Sequence, residues 1–190
     1  MWAGVDTLVR QLAELGYECF VTSGTLLGLV REGQLIGYDD DLDLAVILHA
    51  SSPPDVAVEW VTLRHRLAEA GLLSAWFEST QHLHCKARLA SGVAVDLFPA
   101  WRSGTGRVSV WPYSNGGLLD DDLLPLQRFD TGRVDVALPR RPEKVLASNY
   151  GPDWRTPDPT WRFDWLAAKR LFPDFCTAMA AAWEDREEAT

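Results

Sequence analysis

The chain has 190 residues and carries 18 Lys+Arg against 27 Asp+Glu, a formal charge of −9. That balance argues against a protein that coats DNA or RNA, because such proteins neutralise phosphate with clustered Lys and Arg. Hydrophobic residues at 47% and charged residues at 24% exclude the disordered and membrane-embedded classes and leave a globular chain long enough to bury a core without disulfides or a structural metal.

Residues 1–6 show neither a basic stretch nor an apolar one, so no signal peptide is expected. Val5, Leu8, Val9, Leu12 and Leu15 then recur at the spacing of one helix face, with Gly16 placed as a C-terminal cap. The aromatic and β-branched residues of 17–22 predict a strand that runs into the turn Ser23-Gly24-Thr25, where Thr25 would cap a short helix over 26–31. Gly33 ends that helix, and 42–48 is the next strand. Its run Leu44 to Leu48 is the longest unbroken aliphatic stretch and falls well short of the ~18 residues that cross a bilayer. No membrane span is expected, and the expected location is the cytoplasm.

Ser51-Ser52-Pro53-Pro54 reads as a loop before a second long helix over 56–70. Strands are predicted over 72–78, 82–90 and 93–98, the last two joined across Ser91-Gly92 as a hairpin. Further short strands fall at 108–111, 126–129 and 134–138, a helix at 142–150 is capped by Gly151, and helices flank Pro173. Cys19, Cys85 and Cys176 are odd in number and far apart, which suggests neither a disulfide framework nor a zinc knuckle. The expectation is one α+β domain over 1–190, its chemistry concentrated in about 17–100 and a helical part over about 140–190.

The most informative stretch is Ser23-Gly24-Thr25-Leu26-Leu27-Gly28, Arg31, then Tyr38-Asp39-Asp40-Asp41-Leu42-Asp43. Four carboxylates at the mouth of an apolar strand repel one another and are costly to desolvate, so something cationic should sit among them. Strand alternation puts Asp41 and Asp43 on one face, the start of a hard-cation site. Asp96 is a lone acid between Val95 and Leu97 in a predicted strand, expensive unless paired or bound to metal. An EF-hand fails as the rival reading, because Leu44 stands where glycine is required and Ala50 where the bidentate Glu belongs.

This set resembles the nucleotidyltransferase superfamily and, within it, the LicD family, to which the fukutin-related proteins also belong. The resemblance is carried by Gly24-Thr25-Leu26-Leu27-Gly28, Arg31, Ile36 through Asp43, Asp96-Leu97-Phe98-Pro99, Leu138-Pro139, Leu146 and Tyr150-Gly151. Two departures stand out. Gly37-Tyr38 replaces a frequent Pro-Trp, and the cysteine-rich zinc insertion of some animal relatives has no counterpart.

The resemblance implies a mixed β-sheet flanked by helices and two Mg²⁺ ions, or Mn²⁺, held by Asp41, Asp43 and Asp96, with those carboxylates catalytic. It implies phosphate contacts from Ser23, Gly24, Thr25 and Arg31, and a supporting role for Asp39 and Asp40. Its implied activity moves phosphocholine or a polyol phosphate from a CDP-activated donor to a glycan hydroxyl and releases CMP. A true nucleotidyltransferase releasing pyrophosphate, or a non-catalytic glycan- or nucleotide-binding module, would use a similar face.

Outside that block, His82, His84, Lys86 and Arg88 form the polar face of one strand. Lys86 and Arg88 are candidate phosphate binders if that face lines the substrate cleft, and a solvated sheet face is the alternative. A zinc site on His82 and His84 lacks further ligands at a standard spacing. Asp120-Asp121-Asp122 reads as solvated surface. Trp101, Trp111, Trp154, Trp161 and Trp165 are either stacking surfaces for a base or sugar, or core filler. Five of the nine excess negative charges lie in Asp39, Asp40, Asp41, Asp43 and Asp96, so bound metal would let this acidic chain accept an anionic donor.

Overall fold

The structure is a computed structural model that describes residues 2–37, 41–73 and 83–187. In chain order, α1 (Val5–Glu14) leads into β1 (Glu18–Val21), α2 (Ser23–Glu32), β2 (Asp41–Leu48) and α3 (Pro53–Glu69). The hairpin β3 (Cys85–Arg88) and β4 (Ala94–Arg102) follows, then β5 (Arg107–Val110), β6 (Ser114–Leu119), the single turn α4 (Asp120–Leu123), β7 (Gln127–Asp130) and β8 (Asp135–Leu138). The chain continues through α5 (Pro142–Tyr150), α6 (Trp165–Leu171) and α7 (Pro173–Glu187).

Among the described residues, β2 and β4 are the centre of a six-stranded mixed sheet of order β1-β2-β4-β5-β6, with β7 and β8 forming a separate pair. They run parallel, joined by the crossover helix α3, and are buried along most of their length, as strands covered on both faces must be. β3 and β5 share the other edge of β4 in succession, β3 opposite 94–97 and β5 opposite 100–102. The α+β class and the mixed sheet flanked by helices are therefore as expected.

Helix packing closes the molecule behind the sheet. α3 packs on α7, and the Arg64 guanidinium, 2% exposed, lies 4.8 Å over the Trp183 ring. Trp101 and Trp111, both buried, meet Phe172 and Phe175 at ring separations of 5.1 to 6.0 Å, so these two tryptophans are core. Among the described residues no helix is long and apolar enough to cross a membrane.

Several local expectations are corrected. Pro53 and Pro54 begin α3 instead of lying in a loop, and Ser52 caps it by accepting the Asp55 N–H; a proline in the first turn lacks only an N–H that would have no helical partner. α2 starts at Ser23 with Thr22 as its flanking residue, so Thr25 is not the cap. β6 was not expected from Ser-Asn-Gly-Gly; it forms because β5 pairs with it and Ser109 Oγ accepts the Gly116 N–H at 2.9 Å. Asp122 is 7% exposed, accepts the Leu119 N–H at 3.0 Å and meets Arg141 at 3.3 Å, so it is a buried turn-stabilising acid and not solvated surface. The predicted strand over 72–78 lies largely outside the described residues.

Candidate functional site

Backbone pairing alone places the acidic residues together. Pleat alternation puts Asp41 and Asp43 on one face of β2, the parallel register sets Asp43 opposite Asp96, and the antiparallel register sets Lys86 opposite Asp96. Asp43, Asp96 and Lys86 thus form a row across three strands, with Asp41 one pleat away. One carboxylate oxygen from each of Asp41, Asp43 and Asp96 lies within 4.8 Å of the others.

Lys86 Nζ donates to Asp41 Oδ2 at 2.7 Å and stands 3.1 Å from Asp96 Oδ1. The latter contact is an ion pair that leaves the buried Asp96 Oδ1 without a well-directed hydrogen bond. Burial pushes the Asp96 carboxyl up to about 6, with the Lys86 ammonium pulling it down and the Asp41 charge adding to the rise. Burial works against the charged form of Lys86, but its two carboxylate partners outweigh it and raise the ammonium above its ordinary value.

Asp43 is anchored from the helix side. Its Oδ2 accepts the Thr25 N–H at 3.2 Å, its own N–H donates to Thr25 Oγ1 at 2.8 Å, and its carbonyl accepts the Thr22 N–H at 3.0 Å. Behind them Thr22 Oγ1 and the Tyr113 hydroxyl are 2.6 Å apart. Ser23 holds a φ of +43°, a conformation that costs energy for any residue but glycine and is concentrated at functional sites. Gly28, one helical turn beyond Thr25, has no room for a side chain: a Cβ there would lie 2.7 Å from the Gln34 carbonyl oxygen and 2.9 Å from the Ile36 nitrogen.

The carboxylates open into a cavity of about 1040 Å³. Ser23, Gly24 and Arg31 also line it, as does the segment between α5 and α6, including Trp154, Trp161 and Phe163. A series of rings runs along that segment: Tyr150 to Trp161 at 4.7 Å, Trp161 to Phe163 at 6.1 Å and Phe163 to Trp165 at 4.8 Å. It continues from Trp165 to His84 at 5.5 Å and from His84 to Phe98 at 5.2 Å.

Residues 16–141 match the family described as LicD/FKTN/FKRP, nucleotidyltransferase domain. The chain belongs to the LicD family. No curated protein matches it. The matched span holds all three carboxylates and Lys86, whereas the aromatic lining at 149–165 of this LicD-family chain lies beyond it.

The residues singled out in the sequence land in different places within this LicD-family fold. Ser23, Gly24, Arg31, Asp41, Asp43 and Asp96 line the cavity. Thr25 is buried and holds Asp43. The Arg31 guanidinium contacts Glu32 at 2.7 Å. Arg88 is exposed at the end of β3 and outside the cavity lining. Asp39, Asp40 and His82 lie outside the described residues, and His84 is stacked between Phe98 and Trp165.

Reading the sequence missed Thr22, Tyr113 and Asn149. Asn149 lines the cavity, and its Nδ2 donates to Ser23 Oγ at 3.4 Å. Their neighbours are distant in sequence, and the one available signal was Tyr150-Gly151 beside Asn149.

The carboxylate set fits a hard divalent cation. Its donors are all oxygen and they converge, with the Lys86 ammonium already standing between two of them as a cation does.

Proposed function

We propose that this LicD-family chain is a divalent-metal-dependent transferase that moves phosphocholine or a polyol phosphate from a CDP-activated donor to a glycan hydroxyl, releasing CMP. The observation that carries the reading is the convergence of Asp41, Asp43 and Asp96 in the lining of one cavity that a series of aromatic rings also lines. Residues of about 17–100 form the catalytic core of a single domain over 1–190, and the helical part at about 140–190 supplies the aromatic wall.

Asp41, Asp43 and Asp96 would hold Mg²⁺ or Mn²⁺, which neutralises charge on the donor phosphates. The first backbone N–H groups of α2, at Ser23 and Gly24 on the cavity wall, offer donors to a phosphate oxygen. Arg31 is placed to add a charge-assisted contact once it leaves Glu32. Asp96, whose carboxyl burial raises to about 6 without metal, would be ionised in contact with a bound cation, which lowers that value. It can accept the proton of the attacking sugar hydroxyl. The hydroxyl oxygen forms the new bond to the distal phosphorus, the bond to CMP breaks, and CMP carries away the electron pair.

Product analysis tests this reading. Incubation with CDP-choline, CDP-ribitol or CDP-glycerol, a glycan acceptor and Mg²⁺ is expected to release CMP in a metal-dependent manner. Pyrophosphate from a nucleoside triphosphate, with no CMP from any CDP donor, would replace it with a true nucleotidyltransferase reading.

The aromatic wall makes a separate prediction. Trp161 is 36% exposed and lies 4.7 Å from the Tyr150 ring in a tilted contact, so Trp161→Ala removes an open ring face worth roughly 1–3 kcal/mol to a stacked base. The donor KM should rise about tenfold with kcat nearly unchanged. An unaltered KM would remove the wall from donor binding.

A further inference from the structure

We propose that Lys86 is a resident cation that takes one of two positive positions in the acidic site, so that the chain loads a single divalent ion where the resemblance implies two. This rests on the metal reading above.

The backbone sets the position of Lys86. It is paired directly with Asp96 across β3 and β4, in the row that also contains Asp43, so its ammonium is delivered to the carboxylates by strand register and not by a loop. Nζ stands between Asp41 and Asp96, at 2.7 and 3.1 Å, the place where a cation shared by those two carboxylates would sit. The side chain is 23% exposed, and at such separations an ammonium and a divalent ion repel too strongly to share the position.

Charge counting points the same way. Three ionised carboxylates and one ammonium leave −2, which one divalent ion cancels and two would overturn to +2. Asp43, anchored to the first turn of α2 through Thr25, would hold the single ion with the carboxylate oxygens that Lys86 leaves.

Counting Mn²⁺ bound to the full chain without nucleotide, by electron paramagnetic resonance of the unbound ion, tests the proposal. The wild type is expected to bind one Mn²⁺, Lys86→Arg one, and Lys86→Met two. The Mn²⁺-induced rise in Tm should also be larger for Lys86→Met than for the wild type, because that variant lacks its internal countercharge. Two ions in the wild type would overturn the inference and leave the metal reading standing, and this count decides even if Lys86→Met fails to fold. A folded Lys86→Met that still binds one ion would overturn it as well. No ion in the wild type would remove the metal reading and this inference together.

Discussion

Replacing Asp43 with Asn is expected to lower turnover by about a thousandfold or more while leaving the fold intact. Asp43 is the most enclosed carboxylate of the three, 8% exposed. An Asn carbonyl oxygen can still accept the Thr25 N–H, and the backbone links to Thr25 and Thr22 do not depend on the side chain. What disappears is one negative charge of three. Losing a single preorganised electrostatic contact to a reacting centre commonly costs on the order of a hundred- to a thousandfold, and here the same group would also hold the metal.

The metal-free protein should be no less stable than the wild type, because like charges within 4.8 Å repel and the substitution relieves them. Mn²⁺ titration, CMP release and thermal melts on the same sample separate these effects. Turnover close to wild type, with unchanged Mn²⁺ affinity, would remove Asp43 from the site.

Gly28→Ala is expected to destabilise the protein by about 1–3 kcal/mol, the usual cost of forcing a methyl group into a packed interior. The new Cβ would press on backbone, the Gln34 carbonyl oxygen at 2.7 Å and the Ile36 nitrogen at 2.9 Å. No side-chain rotation relieves that. Alanine's higher helix propensity, worth about 1 kcal/mol, works in the opposite direction and does not remove the clash. Either α2 shifts or the segment after Gly33 does, and both lead to the site: α2 carries Thr25, which holds Asp43, and Ile36 lines the cavity. A Tm lower by several degrees and weaker Mn²⁺ binding are the expected results. A variant as stable as the wild type would show that this close approach is not required.

The acidic site shows how far local pattern reaches. Asp41 and Asp43 were placed on one face by the two-residue repeat alone, and Asp96 stood out because an acid between Val95 and Leu97 is costly to leave unpaired. Lys86 was legible only as one of several basic residues on a strand face, and its equal in that reading, Arg88, is exposed and outside the cavity. The difference is a two-residue step along β3: Lys86 falls opposite Asp96, and Arg88 opposite Ala94. Thr25 was read as a helix cap because it follows a small-residue turn. Its actual partner, Asp43, is brought to it only when α2 folds against β2. The tryptophans divided in the same way, with Trp101 and Trp111 in the core while Trp161 and Trp165 face the cavity.

By itself, the sequence determined the helix and strand periods, the α+β class, the three carboxylates and the family whose pattern they share. These depend on side-chain spacing along a few residues, and spacing is fully written in the chain. Tertiary structure alone decided that Asp43, Asp96 and Lys86 share one row, that aromatic rings line the same cavity as the carboxylates, and that Gly28 is closed to any side chain. Each of those facts joins elements through hydrogen-bonded register or packing between neighbours in space, and the free energy that selects one register over the next belongs to the assembled core and not to any segment of it.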